Sequence, residues 1–182
     1  GENSPKKIIE GIDISLKQKK DNFFYIYGKK DLIEKEIKKY RNVEKYSEII
    51  NIEESINDEE SPFVAAKKGK KTSMWRAIES QKENRADITL SAGNTGALLI
   101  ISRLILDTLE GINKPALAAL WPNDNNLSLV LDLGANVDCD EKNLVDFAYM
   151  GSALFKSLFD ISNAKVALLN IGLEEKKGTD AL

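Results

Sequence analysis

Six small and polar residues, SAGNTG at positions 91–96, separate a short apolar run from a long apolar segment rich in helix-forming residues. Glycine lets backbone amides approach a ligand closely, and Ser, Asn and Thr can add side-chain donors. If a helix begins here, its unpaired amides and the positive end of its dipole favour an anion. The alternative is a purely structural turn in which Asn94 or Thr95 only caps the helix. The natural occupant is a phosphate or a carboxylate, and the candidate residues for binding it are Ser91, Gly93, Asn94, Thr95 and Gly96.

A second polar loop, LGANVDCDE at 133–141, offers Asn136 and Asp138 as partners for a polar group of a substrate. The alternative is an Asx turn that organises the loop before the next helix. Cys139 lies in the same loop, but the chain contains no histidine to activate it. We therefore interpret Cys139 as an inert, partly buried thiol.

A third loop, NIGLEEKKGTD at 170–180, supplies Asn170, Glu175 and Lys177. Charge runs of this kind are usually solvated. This one follows an apolar run and precedes a glycine, so a lysine could turn inward and bind an anion. Lys177, next to Gly178, is the candidate for that role.

The segment KKGKKTSMWR at 67–76 is locally basic. It is either a solvated loop and helix start or a surface that attracts an anionic ligand or an acidic protein partner. It lacks the interleaved aromatic residues that single-stranded nucleic-acid binding favours. The basic residues are Lys67, Lys68, Lys70, Lys71 and Arg76.

Composition narrows the class of protein. The chain has 182 residues, 42% hydrophobic and 30% charged, with a net charge of −3, which indicates a globular chain and gives no case for nucleic-acid binding. The single cysteine excludes an internal disulfide, and no run is apolar enough to span a bilayer, so we expect a cytoplasmic protein. Without histidine, Ser-His and Cys-His catalytic pairs and a His-ligated zinc are excluded.

These loops need a scaffold that places them together. Apolar periodicity predicts helices over 5–20, 30–40, 72–84, 97–109 and 141–159, and strands over 22–28, 47–52, 86–90, 115–122, 127–133 and 165–172. Alternation of strands and helices predicts an α/β fold with a largely parallel sheet covered on both sides. Because ligands bind beyond the carboxyl ends of parallel strands, the three loops are expected at one edge of the sheet.

Both ends of the chain carry helix-start signals. Asn3 or Ser4 could cap a helix with Pro5 at its first position, which leaves no room for a strand in front, and GTDAL stops where another helix would begin. We therefore expect residues 1–182 to form a single α/β domain, a fragment that lacks the first strand and the C-terminal part of a longer chain.

The motifs in this order resemble the phosphate acyltransferase (PlsX) family of bacterial phospholipid synthesis. The matching segments are NSPKKIIEGI, SPFVAAKKGKKTSM, ADITLSAGNTGALL, GINKPALAAL, LDLGANVDC, FAYMGSA and VALLNIGLEEKKG, which together span residues 3 to 178. The combination of SAGNTGAL, LGANVDC and LNIG-x-E-x-KKG is specific, whereas each motif alone is weak.

The resemblance implies an enzyme that moves a long-chain fatty acyl group from acyl carrier protein to inorganic phosphate. It implies a three-layer α/β/α Rossmann-like fold related to phosphotransacetylases and isocitrate dehydrogenases, a homodimer, peripheral membrane contact, and no metal or organic cofactor. In this interpretation Lys177 and Asn170 are the candidate catalytic residues, Glu175 joins the binding residues, and the basic segment docks the acidic carrier.

Departures from the family pattern keep two alternatives open. Glu2 stands where the family usually has Asp, PNDNN at 122–126 lacks the usual glycine, and Leu173 replaces a smaller or polar residue. The first alternative is a phosphotransacetylase-like enzyme that uses acyl-CoA. The second is an inactive module that binds an anion or an acyl carrier.

Overall fold

The computed structural model describes residues 3–124 and 126–169, and the chain divides into two compact units, Gly1–Asp107 and Thr108–Leu182. The first unit contains α1 (Lys6–Gln18), β1 (Phe24–Gly28), α2 (Lys30–Ile37), α3 (Arg41–Lys45), β2 (Ser47–Asn51), α4 (Pro62–Lys68), a 3-10 turn (Gly69–Lys71), α5 (Ser73–Lys82) and α6 (Thr95–Leu106). The second contains β3 (Ala119–Pro122), β4 (Leu127–Val130) and α7 (Glu141–Phe159).

A small parallel sheet lies in the first unit. β1 pairs with β2 in parallel, with Ile26 opposite Ile49. Parallel neighbours need a crossover of about a dozen residues or more, and α2 and α3 supply it. Buried residues of α1, α2 and α3, among them Leu16, Ile33 and Val43, pack with Ile26 in one core. The predicted α/β class is confirmed, and the arrangement is consistent with a Rossmann-like three-layer fold.

Helix α1 begins differently from the prediction. Pro5 occupies its N-cap position, and no side chain caps the helix, so neither Asn3 nor Ser4 has the predicted role.

Farther along α1, the buried carboxylate of Asp13 lies 2.6 Å from the ammonium of Lys17. The hydrogen bond and the charge of Asp13 raise the pKa of Lys17.

A second core joins α4, α5 and α6. Ala65, Ile78, Ala97 and Ile101 are its fully buried members. Thr72 caps α5, because its hydroxyl accepts a hydrogen bond from the backbone amide of Trp75 at 3.3 Å. This core fixes the start of α6 against α4.

The predicted strand over 86–90 is wrong. No strand of the described chain pairs with it, and Ile88 and Leu90 are 69% and 76% exposed. The segment is attached to α5 by a hydrogen bond of 3.3 Å from the Thr89 hydroxyl to the carbonyl of Ala77. An apolar run becomes a strand only when a neighbour offers backbone partners, which the run itself does not encode.

The second unit departs from the expected parallel pairing. β3 and β4 pair antiparallel, with Leu120 opposite Leu129, and the residues of β3 are exposed rather than buried on both faces. The connection is too short for a parallel crossover, and Asn123 and Asn126 close it with two hydrogen bonds of 2.8 Å.

Two further predictions concern the rest of this unit. Helix α7 has the bounds predicted for it, 141–159. The strand predicted over 165–172 is not formed over 165–169, and 170–172 lie outside the described residues. Among the described helices, none combines the length and apolarity that crossing a bilayer requires.

Candidate functional site

The start of α6 is built by SAGNTG. The Asn94 side-chain oxygen accepts from the amide of Ala97 at 2.9 Å, and the amide of Gly93 donates to the Ser91 hydroxyl at 3.2 Å. Within the described part of the chain, the amides of Thr95 and Gly96 have no protein acceptor. A helix of twelve residues with free amides at its positive end and no acidic residue in its first turn favours an anion.

Asn94 also pins the loop to the connector that precedes α4. Its side-chain nitrogen lies 2.8 Å from the carbonyl oxygen of Glu60 and 3.2 Å from that of Asp58. Both ends of the amide are therefore occupied by backbone partners. Asn94 has the capping function that the structural alternative predicted.

An open cleft lies in front of this helix start. Its volume is about 490 Å³, and it is lined by Lys7, Asp58, Ala92, Gly93, Asn94 and Thr95. Small-molecule sites span roughly 300–1,000 Å³, so the cleft has room for phosphate and for part of a second reactant.

The charges of the cleft come from two side chains. Lys7 is exposed on α1 and makes no ion pair with any described residue, so its ammonium is available to an anion. Asp58 also lines the cleft. Selection of an anion there depends on directed amide donors as well as on the charge of Lys7.

The first turn of α6 packs closely against the first residue of α4. A Cβ added to Gly96 would lie 2.6 Å from Cγ of Pro62, the first residue of α4. Real Cβ atoms do not approach ring carbons so closely. Glycine at position 96 therefore allows α4 and α6 to meet beside the cleft.

In the second unit, Asn136 organises its own loop. Its backbone and side-chain nitrogens donate to the Asp132 carboxylate at 2.8 and 3.1 Å, and the side chain also donates to the carbonyl of Pro115 at 2.8 Å. Asp138 is exposed, and its backbone carbonyl accepts from Lys114 at 2.6 Å. Cys139 is a half-buried free thiol. Asn136 thus organises the loop through Asp132 and Pro115, and these contacts differ from the Asx turn of the structural alternative.

The basic segment separates into paired and unpaired cations. Lys68 pairs with Glu60, and Arg76 pairs with Glu79. Lys67, Lys70 and Lys71 are exposed and form no ion pair with the described residues. Three of the five predicted docking residues therefore present an uncompensated charge.

The candidate catalytic residues Asn170 and Lys177, together with Glu175, lie outside the described residues. SAGNTG and the Asn136 loop belong to different units, each described by itself. The expectation that each loop follows a parallel strand is wrong for the described residues, because 86–90 and 165–169 form no strand and β4 pairs antiparallel with β3. How close the three loops lie to one another stays a prediction.

Sequence analysis missed Lys7 and Asp58 as neighbours of SAGNTG. Lys7 lies in NSPKKIIEGI, one of the segments that carried the family resemblance, so the signal was present. The spacing of residues 7 and 94 in the sequence does not predict that they line one cleft, because their proximity depends on how the helices pack.

Comparison with known proteins gives a consistent family assignment. The family model described as "Fatty acid synthesis protein" matches residues 1–182. A relative from Pelagibacter ubique (strain HTCC1062), named phosphate acyltransferase, is 53% identical over 182 residues, covering 100% of this chain and 54% of the relative. Relatives of the same name from Rhodopseudomonas palustris (strain TIE-1) and Ehrlichia canis (strain Jake) are 43% and 41% identical, with 100% of this chain and 52% and 55% of theirs covered.

The chain therefore spans about half the length of the curated relatives it matches. These relatives are more than 40% identical along the whole chain, and the family model matches all 182 residues. Together the two findings establish the family. The chain belongs to the fatty acid synthesis protein (PlsX) family.

Proposed function

We propose that the intact protein carrying this chain transfers a long-chain fatty acyl group from acyl carrier protein to inorganic phosphate, giving acyl-phosphate for phospholipid synthesis. The observation that carries the proposal is the cleft at the start of α6, which Lys7 and Thr95 line and where the amides of Thr95 and Gly96 have no acceptor among the described residues. The name shared by the relatives, phosphate acyltransferase, supports this chemistry.

The proposed reaction does not require the protein to supply a nucleophile. A phosphate oxygen attacks the thioester carbonyl carbon, the C–S bond breaks, and the thiolate leaves and takes up a proton. Because phosphate is itself the nucleophile, a chain without histidine or an activated cysteine is suited to the task. Holding phosphate against the thioester can contribute roughly 7–11 kcal/mol in favourable cases.

The proposed roles follow the chemistry of each loop. Phosphate binds at the amides of Thr95 and Gly96, with Ser91 and Lys7 beside it. Lys177 and Asn170 are the proposed catalytic residues, which stabilise the oxyanion that develops on the thioester carbonyl. Asn136, Asp138 and Glu175 complete the proposed binding set.

The setting of the protein is also a proposal. We propose a homodimer in the cytoplasm that makes peripheral contact with the inner face of the membrane. The single cysteine fits a reducing compartment, and an acyl-phosphate with a long chain is best released at a lipid surface.

A donor comparison with the intact protein tests the proposal. Phosphate is supplied with either a long-chain acyl carrier protein or acetyl-CoA, and acyl-phosphate formation is measured. We expect product from the carrier thioester and much less from acetyl-CoA. A preference for acetyl-CoA would instead identify a phosphotransacetylase-like enzyme, and carrier binding without turnover would identify an inactive binding module.

A further inference from the structure

An apolar and basic surface lies on α4 and the turn after it. We call it the α4 patch and define it as Phe63, Val64, Lys67, Lys70 and Lys71. Phe63 and Val64 are 70% and 50% exposed. Lys67, one helical turn after Phe63, holds its ammonium 5.8 Å from the centre of the Phe63 ring.

Helix α4 buries its small side chain and exposes its large apolar ones. The helix has seven residues, and its fully buried member is Ala65, which packs with Ile78, Ala97 and Ile101. The small side chain thus faces the core while the two largest apolar side chains face solvent. Exposed apolar side chains grouped within a charged rim are typical of interaction sites.

The charge of the patch favours an acidic partner. Lys67, Lys70 and Lys71 have no ion-pair partner in the described chain, whereas Lys68 and Arg76 are neutralised by Glu60 and Glu79. Uncompensated rim charges steer an oppositely charged partner and accelerate its association. The complementary surface is one on which carboxylates flank apolar side chains.

The patch adjoins the anion cleft. Pro62, where α4 begins, meets Gly96 in the first turn of α6, and the carbonyl of Glu60 accepts from Asn94. Ala65 of α4 and Ala97 of α6 share one core. A partner seated on the patch therefore lies next to the helix start that faces the cleft.

We propose that the α4 patch docks an acidic surface of the acyl carrier, with Phe63 and Val64 as apolar anchors and the three unpaired lysines as the electrostatic rim. This inference rests on the proposed function, which supplies the carrier as the thioester donor. An anionic membrane fits the patch less well, because lipid-binding basic clusters have about 4–8 cations and interfacial helices are longer than α4.

The test uses Phe63→Ala in the intact protein, with Leu32→Ala as the matched control. Leu32 is another exposed apolar residue of the same unit, 52% exposed on α2. We expect Phe63→Ala to raise the KM for acyl carrier protein about tenfold, as loss of an interface anchor does, and to leave kcat/KM for a small acyl-pantetheine thioester unchanged. Leu32→Ala should change neither. In wild type, kcat/KM for the carrier should fall with added salt, and Lys67→Ala combined with Lys70→Ala should weaken that dependence.

Three outcomes would overturn the docking proposal. Equal losses with both donors would show that Phe63 supports the fold. Unchanged carrier kinetics would remove the patch from docking. Weaker binding of the variant to phosphatidylglycerol vesicles with unaltered carrier KM would assign the patch to lipid. If wild type forms no acyl-phosphate from any donor, the proposed function fails, and calorimetric titration of the carrier against wild type and Phe63→Ala then decides docking by itself.

Discussion

Asn94 shows how one side chain can build a site without serving as its ligand. Its oxygen caps α6 through the amide of Ala97, and its nitrogen reaches the carbonyls of Asp58 and Glu60. With both ends occupied, the donors left for an anion are the amides of Thr95 and Gly96. The polar composition of SAGNTG therefore serves two purposes, since Asn94 holds the loop and its neighbours face the cleft.

Lys7 provides the prediction at the scale of single residues. Replacing Lys7 by Ala is expected to raise the KM for phosphate by about tenfold or more, because a charge-assisted hydrogen bond contributes roughly 1.5–3 kcal/mol. The measurement is the initial rate of acyl-phosphate formation against phosphate concentration. Lys6→Ala is the matched control, because the ammonium of Lys6 lies 3.9 Å from Glu10 and Lys6 does not line the cleft. Equal effects of the two replacements would remove Lys7 from the site.

Helices and strands differ in how far their residues alone predict them. The apolar spacing of α7 and the capping hydroxyl of Thr72 at the start of α5 are local signals, and the helices over 141–159 and 72–84 were predicted from the sequence. The run at 86–90 was misread because a strand depends on a partner from elsewhere in the chain. No helix was predicted over Pro62–Lys68, and its last two residues were interpreted as part of the basic segment, although Pro62 at the first position was a usable signal.

The contact between α4 and α6 carries the prediction at the scale of elements. Gly96→Ala is expected to lower the free energy of unfolding by about 1–3 kcal/mol, because the new Cβ would lie 2.6 Å from the Pro62 ring and α4 would have to shift. Urea denaturation measures the change. Gly11→Ala is the control, since a Cβ there meets nothing within 4 Å on an exposed face of α1, and it should raise stability by up to about 1 kcal/mol. Equal stability of Gly96→Ala and wild type would show that α4 does not constrain the start of α6.

At the scale of the whole molecule, the family match covers every residue of the chain, whereas the described geometry covers only part of the proposed site. The relatives match along the whole chain, and their name points to acyl transfer to phosphate. The described geometry supports the phosphate half of that chemistry in the first unit. The proposed catalytic pair, Asn170 and Lys177, rests on motif and chemistry alone, because local sequence does not fix where a loop packs.

The central claim is that phosphate binds at the start of α6, and a crystal of the intact protein soaked in phosphate tests it most directly. The account predicts a phosphate whose oxygens lie about 3 Å from the amide nitrogens of Thr95 and Gly96, with the ammonium of Lys7 beside it. An empty cleft with phosphate bound elsewhere in the molecule, or amides of Thr95 and Gly96 turned away from the bound anion, would contradict it.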